Sequence, residues 1–204
     1  MIVFVRAPVL GRGKRRLAAT IGDIAAWRFQ RACLGTVLAR LEKDARWTTI
    51  LAVTPDRAER GVGAPRAAGR SRRVIGQGSG DLGARMVRAL RAAPPGPAVL
   101  VGADIPELRA DHVWRAFRAL GRADAVFGPA RDGGYWLIGL ARARRHLSLA
   151  GVRWSSAHAL ADSRAALGPR KGVALIEVLS DIDDGADYAL WRARDATGRA
   201  SKGV

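Results

Sequence analysis

The chain has 204 residues and a mass of 21.8 kDa, long enough for one well-buried core and too short for two ordinary enzyme domains. Its 49% hydrophobic and 26% charged residues are those of a globular protein, which excludes a disordered or a membrane-embedded chain. The net charge of +17 suggests nucleic acid, but 31 of the 35 basic residues are Arg scattered through every segment, so a specific nucleic-acid partner is not expected. The only cysteine, Cys33, excludes an internal disulfide and a thiolate metal cluster, and its apolar neighbours mark it as a buried thiol.

In chain order, residues 2–5 are an apolar run without a preceding basic region or a cleavage-like site. They are expected to form a first strand rather than a targeting segment, in a cytoplasmic protein without membrane insertion. Residues 6–18, "RAPVLGRGKRRLA", read as a loop with two glycines and a basic cluster, able to present N–H groups and cations to phosphate. This is not a Walker loop, because Pro8 stands where its first Gly should be and Arg15 where Ser or Thr should follow Lys14. A helix is predicted over 23–43, with Trp27, Leu34, Leu38 and Leu41 on one face. A strand at 49–53 precedes the Gly-, Pro- and Arg-rich segment 55–72, which is expected to be a mobile loop.

After a short strand at 73–75 comes "GQGSGDLGARM", where Gly78, Gly80 and Gly83 satisfy G-x-G-x-x-G and Asp104 follows about 20 residues later, as a dinucleotide fold requires. Asp81 opposes that reading: at the start of a helix predicted over 81–92 it would face a pyrophosphate with like charge, whereas it suits an N-cap. The strand at 98–101 delivers Asp104 to the sheet edge, just before a helix predicted over 106–120. There it either caps that helix or ligates a hard cation such as Mg²⁺.

Strands are predicted at 125–127 and 135–140, and between them "GPARDGGYWLIGL" sets Asp132 and two glycines at a turn. Asp-Gly alone is an ordinary hairpin signal; the flanking Gly128, Pro129, Tyr135 and Gly139 suggest in addition a shaped pocket wall. A helix over 156–167 and a strand over 173–179 lead to "DIDDGAD" at 181–187, which reads equally as a helix-capping turn or as a metal or substrate contact. His112, His146 and His158 read as structural or exposed, and the tail 196–204 as disordered. The alternation of strands and helices predicts an α/β domain with a mostly parallel sheet over 1–195, its ligands beyond the carboxyl ends of the strands.

The ordered series "RAPVLGRGKRRLA", "GQGSGDLGARM", "GADIPEL", "GPARDGGYWLIGL", "WSS" at 154–156 and "DIDD" resembles the bacterial DUF2064 family, or selenodomain-associated transferase 1, of the nucleotide-diphospho-sugar transferase superfamily. The likeness spans nearly the whole chain, with one departure: Arg15 replaces the Thr usual after the Lys. It implies a GT-A fold, a three-layer α/β/α sandwich on a mostly parallel mixed sheet. It also implies a site. Lys14 and Arg16 would contact phosphates, with Arg6, Ala7, Pro8, Gly11, Gln77, Gly80 and Asp81 around the nucleotide. Asp104 and Asp183 would ligate Mg²⁺ or Mn²⁺, and Asp132, Gly133, Gly134, Tyr135 and Trp154 would line an acceptor pocket.

The expected reaction is metal-dependent nucleotidyl transfer from a nucleoside triphosphate to a phosphorylated small molecule, with Lys14, Arg16, Asp104 and Asp132 as the catalytic set. Three alternatives remain open. They are glycosyl transfer from a nucleotide-sugar with Asp132 as base, NAD(P) binding, and nucleotide binding without catalysis.

Overall fold

A computed structural model describes residues 1–60, 73–142, 146–169 and 172–200. Seven strands form one sheet: β1 (Ile2–Arg6), β2 (Ile50–Thr54), β3 (Arg73–Gly76), β4 (Ala98–Gly102), β5 (Ala125–Pro129), β6 (Tyr135–Leu140) and β7 (Val173–Leu175), in the order β3-β2-β1-β4-β6-β5-β7. β6 runs antiparallel to β4 and β5, and every other pairing is parallel. The parallel strands are uniformly apolar because helices cover both faces; β2 and β4 each bury four of their five residues.

Among the described residues, six α-helices lie between and after the strands: α1 (Arg15–Ile21), α2 (Asp23–Glu42), α3 (Leu82–Arg91), α4 (Ala110–Ala119), α5 (Ala159–Ala166) and α6 (Gly185–Ala200). The strands' period of two divides the core. Val3, Val5, Leu51, Val53, Val99 and Val101 pack on one face with Leu17 of α1, Phe29, Leu34 and Leu38 of α2 and Val113 of α4. Ile2, Ile50, Ala52, Leu100 and Ile138 pack on the other with Met86 and Leu90 of α3 and Ala159 of α5. The result is the expected three-layer sandwich on a mixed, mostly parallel sheet.

Several boundaries differ from expectation. Helix α1 takes the last four residues of the segment read as a loop, and a 3₁₀ turn (Asp56–Arg60) begins the segment read as mobile, of which 61–72 lie outside the described residues. Helix α4 starts at Ala110, because residues 103–109 form turns that carry Asp104 beyond the sheet. β7 ends at Leu175, and an isolated bridge between Ala130 and Leu179 prolongs its course. Helix α6 runs to Ala200, five residues into the expected disordered tail, and 201–204 lie outside the described residues. On α2, Trp27 is half-buried and its indole N–H donates to the Pro8 carbonyl at 3.2 Å, so Phe29 and Cys33 take the core positions beside Leu34.

Candidate active site

The loop after β1 turns through Gly11 and Gly13 and places Lys14 in the left-handed region, at φ 42 and ψ 41, as the N-cap of α1. This uncommon backbone aims the side chain inward, and only 7% of it is exposed. Its ammonium donates to Asp104 Oδ2 and to Asp183 Oδ1, both at 2.7 Å. Arg16, the second residue of α1 and largely exposed, reaches the second oxygen of Asp183 at 2.7 Å. Three segments far apart in sequence thus converge at the carboxyl end of β4.

Asp181 completes the cluster: Asp104, Asp181 and Asp183 each offer a carboxylate oxygen, all within 4.8 Å of one another. The extended course of 181–183 explains the pair, since alternate residues share a side, and Ile182 between them is buried in the core. The Ile182 N–H bonds the Asp104 carbonyl at 3.3 Å, fixing this segment against the end of β4. The rest of "DIDDGAD" serves α6. Asp184 Oδ1 accepts from the N–H groups of Ala186 and Asp187, and Asp187 Oδ2 from those of Asp183 and Asp184. The helix-capping reading of this acidic run thus holds for Asp184 and Asp187, while Asp181 and Asp183 stand in the carboxylate group beside Asp104.

The charges follow from packing. Burial acts to lower the pKa of Lys14, but the charges and hydrogen bonds of Asp104 and Asp183 outweigh it, and the net shift is upward. Burial likewise opposes ionisation of Asp183, and Lys14 and Arg16 overcome it, so its pKa is lowered. At Asp181 burial first, then the charges of Asp183 and Asp104, with a smaller part from Asp132, outweigh the attraction of Lys14 and push it up to about 6. A cluster that already attracts an ammonium and still holds one carboxyl raised suits a hard divalent cation with oxygen ligands.

A cleft of 560 Å³ opens from Asp104 along the carboxyl ends of β1, β2 and β4, its lining including Arg6, Gln30, Thr54, Gln77, Gly80, Asp81, Arg85, Tyr135, Trp154 and Ser155. Of the residues expected around a nucleotide, Arg6, Gln77, Gly80 and Asp81 line it. Ala7 is buried and donates to the Thr54 carbonyl, the Pro8 carbonyl is taken by Trp27, and Gly11 is exposed; these three do not line it. Of the expected acceptor residues, Tyr135 and Trp154 line it, whereas Asp132, Gly133 and Gly134 stand outside.

Asp132 is exposed, and its Oδ1 accepts from the Gly134 N–H at 2.9 Å, a local Asx turn. Gly133 has φ 85, and a Cβ on it would lie 2.3 Å from the Ala157 carbonyl oxygen; its own carbonyl accepts from the Leu160 N–H at 3.1 Å. The adjacent glycines therefore let the β5–β6 turn lie against the backbone that leads into α5.

Asp81 caps α3, its Oδ1 accepting from the Ala84 N–H at 2.8 Å. Gly78 and the turn after it face Arg88, whose guanidinium takes the carbonyls of Gln77 and Ser79. With the helix start already capped by a carboxylate, and β3 an edge strand, the G-x-G-x-x-G pattern lacks the free N-terminus that a dinucleotide fold uses.

Cys33 is buried, and burial pushes its thiol up to about 12. His112 Nδ1 accepts from the Arg109 N–H in the first turn of α4, and His146 and His158 are exposed. Sequence reasoning missed Asp181, although the alternation in "DID" was its signal, and missed Gln30, Thr54 and Arg85, which carry none.

Residues 37–156 match the family described as "Uncharacterized protein conserved in bacteria (DUF2064)". The chain belongs to the DUF2064 family. Among solved structures, it superimposes on a candidate nucleotide-diphospho-sugar transferase from Desulfovibrio desulfuricans G20 with a TM-score of 0.78 and 27% identity, over 98% of this chain and 96% of that one. It shares the fold of Rv0371c from Mycobacterium tuberculosis H37Rv in complex with manganese, at TM-score 0.55 and 19% identity over 92% and 95% of the two chains. It also shares that of a CMP:2-keto-3-deoxy-manno-octonic acid synthetase complexed with CTP, at 0.58 and 14% over 97% and 98%. No curated protein matches the sequence. This DUF2064 chain therefore has the fold of the nucleotide-diphospho-sugar transferase superfamily, and no described helix is long and apolar enough to cross a membrane.

Proposed function

We propose that this DUF2064 protein, as one domain over residues 1–195, is a nucleotidyltransferase. The observation that carries the reading is the junction of the Asp104–Asp181–Asp183 cluster with the cleft, Asp104 belonging to both. A phosphate oxygen of the acceptor attacks the α-phosphorus of a nucleoside triphosphate, the bond to the bridging oxygen breaks, and pyrophosphate leaves. A phosphate acceptor is already ionised near neutral pH, so the reaction needs no general base, in keeping with a cleft that holds no histidine among its lining residues.

Asp104, Asp181 and Asp183 would hold a divalent cation, Mg²⁺ or Mn²⁺; the manganese in the Rv0371c complex supports this on the same fold. When bound, it supplies positive charge against phosphate oxygens. Lys14 and Arg16 supply the remaining positive charge. Both are held at the carboxylates before substrate arrives, Lys14 in the place that the cation would take, so the displaced ammonium and Arg16 would be at hand for the phosphate charge as it develops. Tyr135, Trp136 and Trp154 wall the cleft with aromatic surface that excludes water. CTP in the octonic acid synthetase complex supports a nucleotide as the occupant.

Glycosyl transfer from a nucleotide-sugar is the second reading, favoured by the activity ascribed to the Desulfovibrio structure. An inverting transfer needs a base, and Asp132 is not among the residues that line the cleft. Thermal-shift titration with nucleoside triphosphates and nucleotide-sugars, with and without Mg²⁺ or Mn²⁺, tests both. Metal-dependent stabilisation by a triphosphate, abolished in Asp104→Asn, together with pyrophosphate release upon addition of phosphorylated acceptors, is the expected result. Stabilisation by a nucleotide-sugar with release of a nucleoside diphosphate would replace nucleotidyl transfer with glycosyl transfer. Absence of stabilisation by any nucleotide would refute both.

A further inference from the structure

The tip of the β1–α1 loop is a tight turn: the Arg12 N–H donates to the Val9 carbonyl at 3.0 Å, and Gly11 supplies the positive φ, 71, that its third position requires. Val9 and Leu10 stand on this tip 44% and 53% exposed. Trp27, through its bond to the Pro8 carbonyl, holds the tip against α2, where Ile24, Trp27, Arg28 and Arg31 form one stripe at i, i+3, i+4 and i+7. Ile24 is 58% exposed, so three of the eight large hydrophobic residues exposed among the described residues gather at this one junction. On its other side the stripe borders a shallow groove of 890 Å³ between α2 and α6, lined by the rings of Phe29, Tyr188 and Trp191 and by Arg28 and Arg192, with Asp23 the only acid. The Arg31 guanidinium lies 4.7 Å from the centre of the Trp27 ring and that of Arg192 6.0 Å from Tyr188. Arg12, Arg28, Arg31 and Arg192 are all exposed.

We infer that this face is a docking surface for an anionic lipid bilayer, on which the protein lies without spanning it. Positive charge alone would fit any polyanion. The exposed aliphatic side chains decide, because Val9, Leu10 and Ile24 offer nothing to the phosphates of a nucleic acid, whereas the acyl boundary of a bilayer takes them out of water. Trp27, Tyr188 and Trp191 are rings of the kind that settle at the headgroup level, and the arginines beside them meet the negative surface potential of acidic lipids. The loop that would dip into the interface also carries Lys14, so the docked protein would hold its candidate active site at the membrane surface.

The experiment sediments the whole protein with vesicles of phosphatidylcholine, alone or with roughly one-third phosphatidylglycerol, in about 0.1 M salt. Neither nucleotide nor metal is present, so the outcome is independent of the transferase reading. The wild type should bind the acidic vesicles only. Arg28→Ala with Arg31→Ala should weaken binding about 30-fold, at roughly fivefold for each arginine near the surface. Leu10→Ser with Ile24→Ser leaves the charge unchanged and should weaken it about 10-fold. Arg118→Ala with Arg122→Ala, at and just beyond the end of α4 on the opposite edge of the sheet, should change it less than about twofold, because that edge is further away than the Debye length of about 10 Å.

All six substituted positions are exposed, so each variant should keep the wild-type Tm; the wild-type comparison of the two vesicles stands if one does not. No binding to acidic vesicles, or equal binding to both kinds, overturns the inference. Equal weakening by the Arg118–Arg122 pair overturns it too, since the attraction would then belong to the total charge. A Leu10–Ile24 pair that binds as the wild type does would also overturn it, leaving a surface for phosphate backbones such as transfer RNA.

Discussion

Replacing Lys14 by Met tests the central geometry, because it removes one buried positive charge from among three carboxylates while keeping the length of the side chain. Each 2.7 Å contact is worth on the order of 6 kcal/mol of Coulomb attraction at an effective dielectric near 20, and desolvating the ammonium takes back several kcal/mol. The side chains of Asp104 and Asp183 are 41% and 38% exposed, so water screens much of what remains. A net loss of about 2 kcal/mol follows, or a Tm lower by roughly 4–8 °C for a chain of this size.

The pH window follows from the two shifts. The raised lysine contributes at every pH below its ordinary value of 10.5 and loses that contribution as pH rises through its higher folded value. The lowered Asp183 contributes above its ordinary value of 3.8 and fails as pH falls below it. The difference between wild type and variant should be flat between these limits and shrink beyond either. Added Mn²⁺ should raise the Tm of Lys14→Met more than that of wild type, because no ammonium must leave the carboxylates. Differential scanning fluorimetry across pH, with and without Mn²⁺, reads all three effects. An unchanged metal-free Tm, or an equal Mn²⁺ shift in both proteins, would refute the view that Lys14 stands in the cation position.

Asp181→Asn should behave oppositely. Its carboxyl is pushed up to about 6 from an ordinary 3.8, so the wild type loses stability as pH rises between those values, and Asn should gain about 1–3 kcal/mol above pH 6 and nothing below pH 4 in metal-free buffer; calorimetric Mn²⁺ titration should show weaker binding. Gly133→Ala should lower stability by about 2–4 kcal/mol in denaturant titration, from positive φ and the contact with the Ala157 carbonyl, and a cost below 1 kcal/mol would mean that the turn relaxes freely. Asp132→Asn should leave nucleotide binding and turnover within about twofold of wild type in a pyrophosphate-release assay, since Asn keeps an acceptor for the Gly134 N–H; loss of turnover would reinstate Asp132 as a base.

What the sequence could convey was local. Strands with continuous apolar runs were readable, and so was α2, whose buried residues recur over 20 positions. Helix α1 was not, because its seven residues bury only Leu17 and leave no period to detect. The carboxylate cluster was half legible: Asp104 closely follows β4 and Asp183 lies in the acidic run before α6, but their shared partner Lys14 is separated from them by 90 and 169 residues, and no spacing rule spans such distances. The adjacent glycines illustrate the converse. "RDGGY" looks like a pocket lip because flexible backbone beside a carboxylate is also how ligands are approached, yet here the close neighbour is the chain itself, at Ala157. Gln77 combines both cases. Its place in a glycine motif drew attention to phosphate, whereas its chemistry is set by the carbonyls of Val5 and Ala52, which only the parallel pairing of β1 and β2 brings side by side. A motif can therefore mark where a ligand binds, while the hydrogen bonds already spent inside the fold decide which atoms are left to meet it.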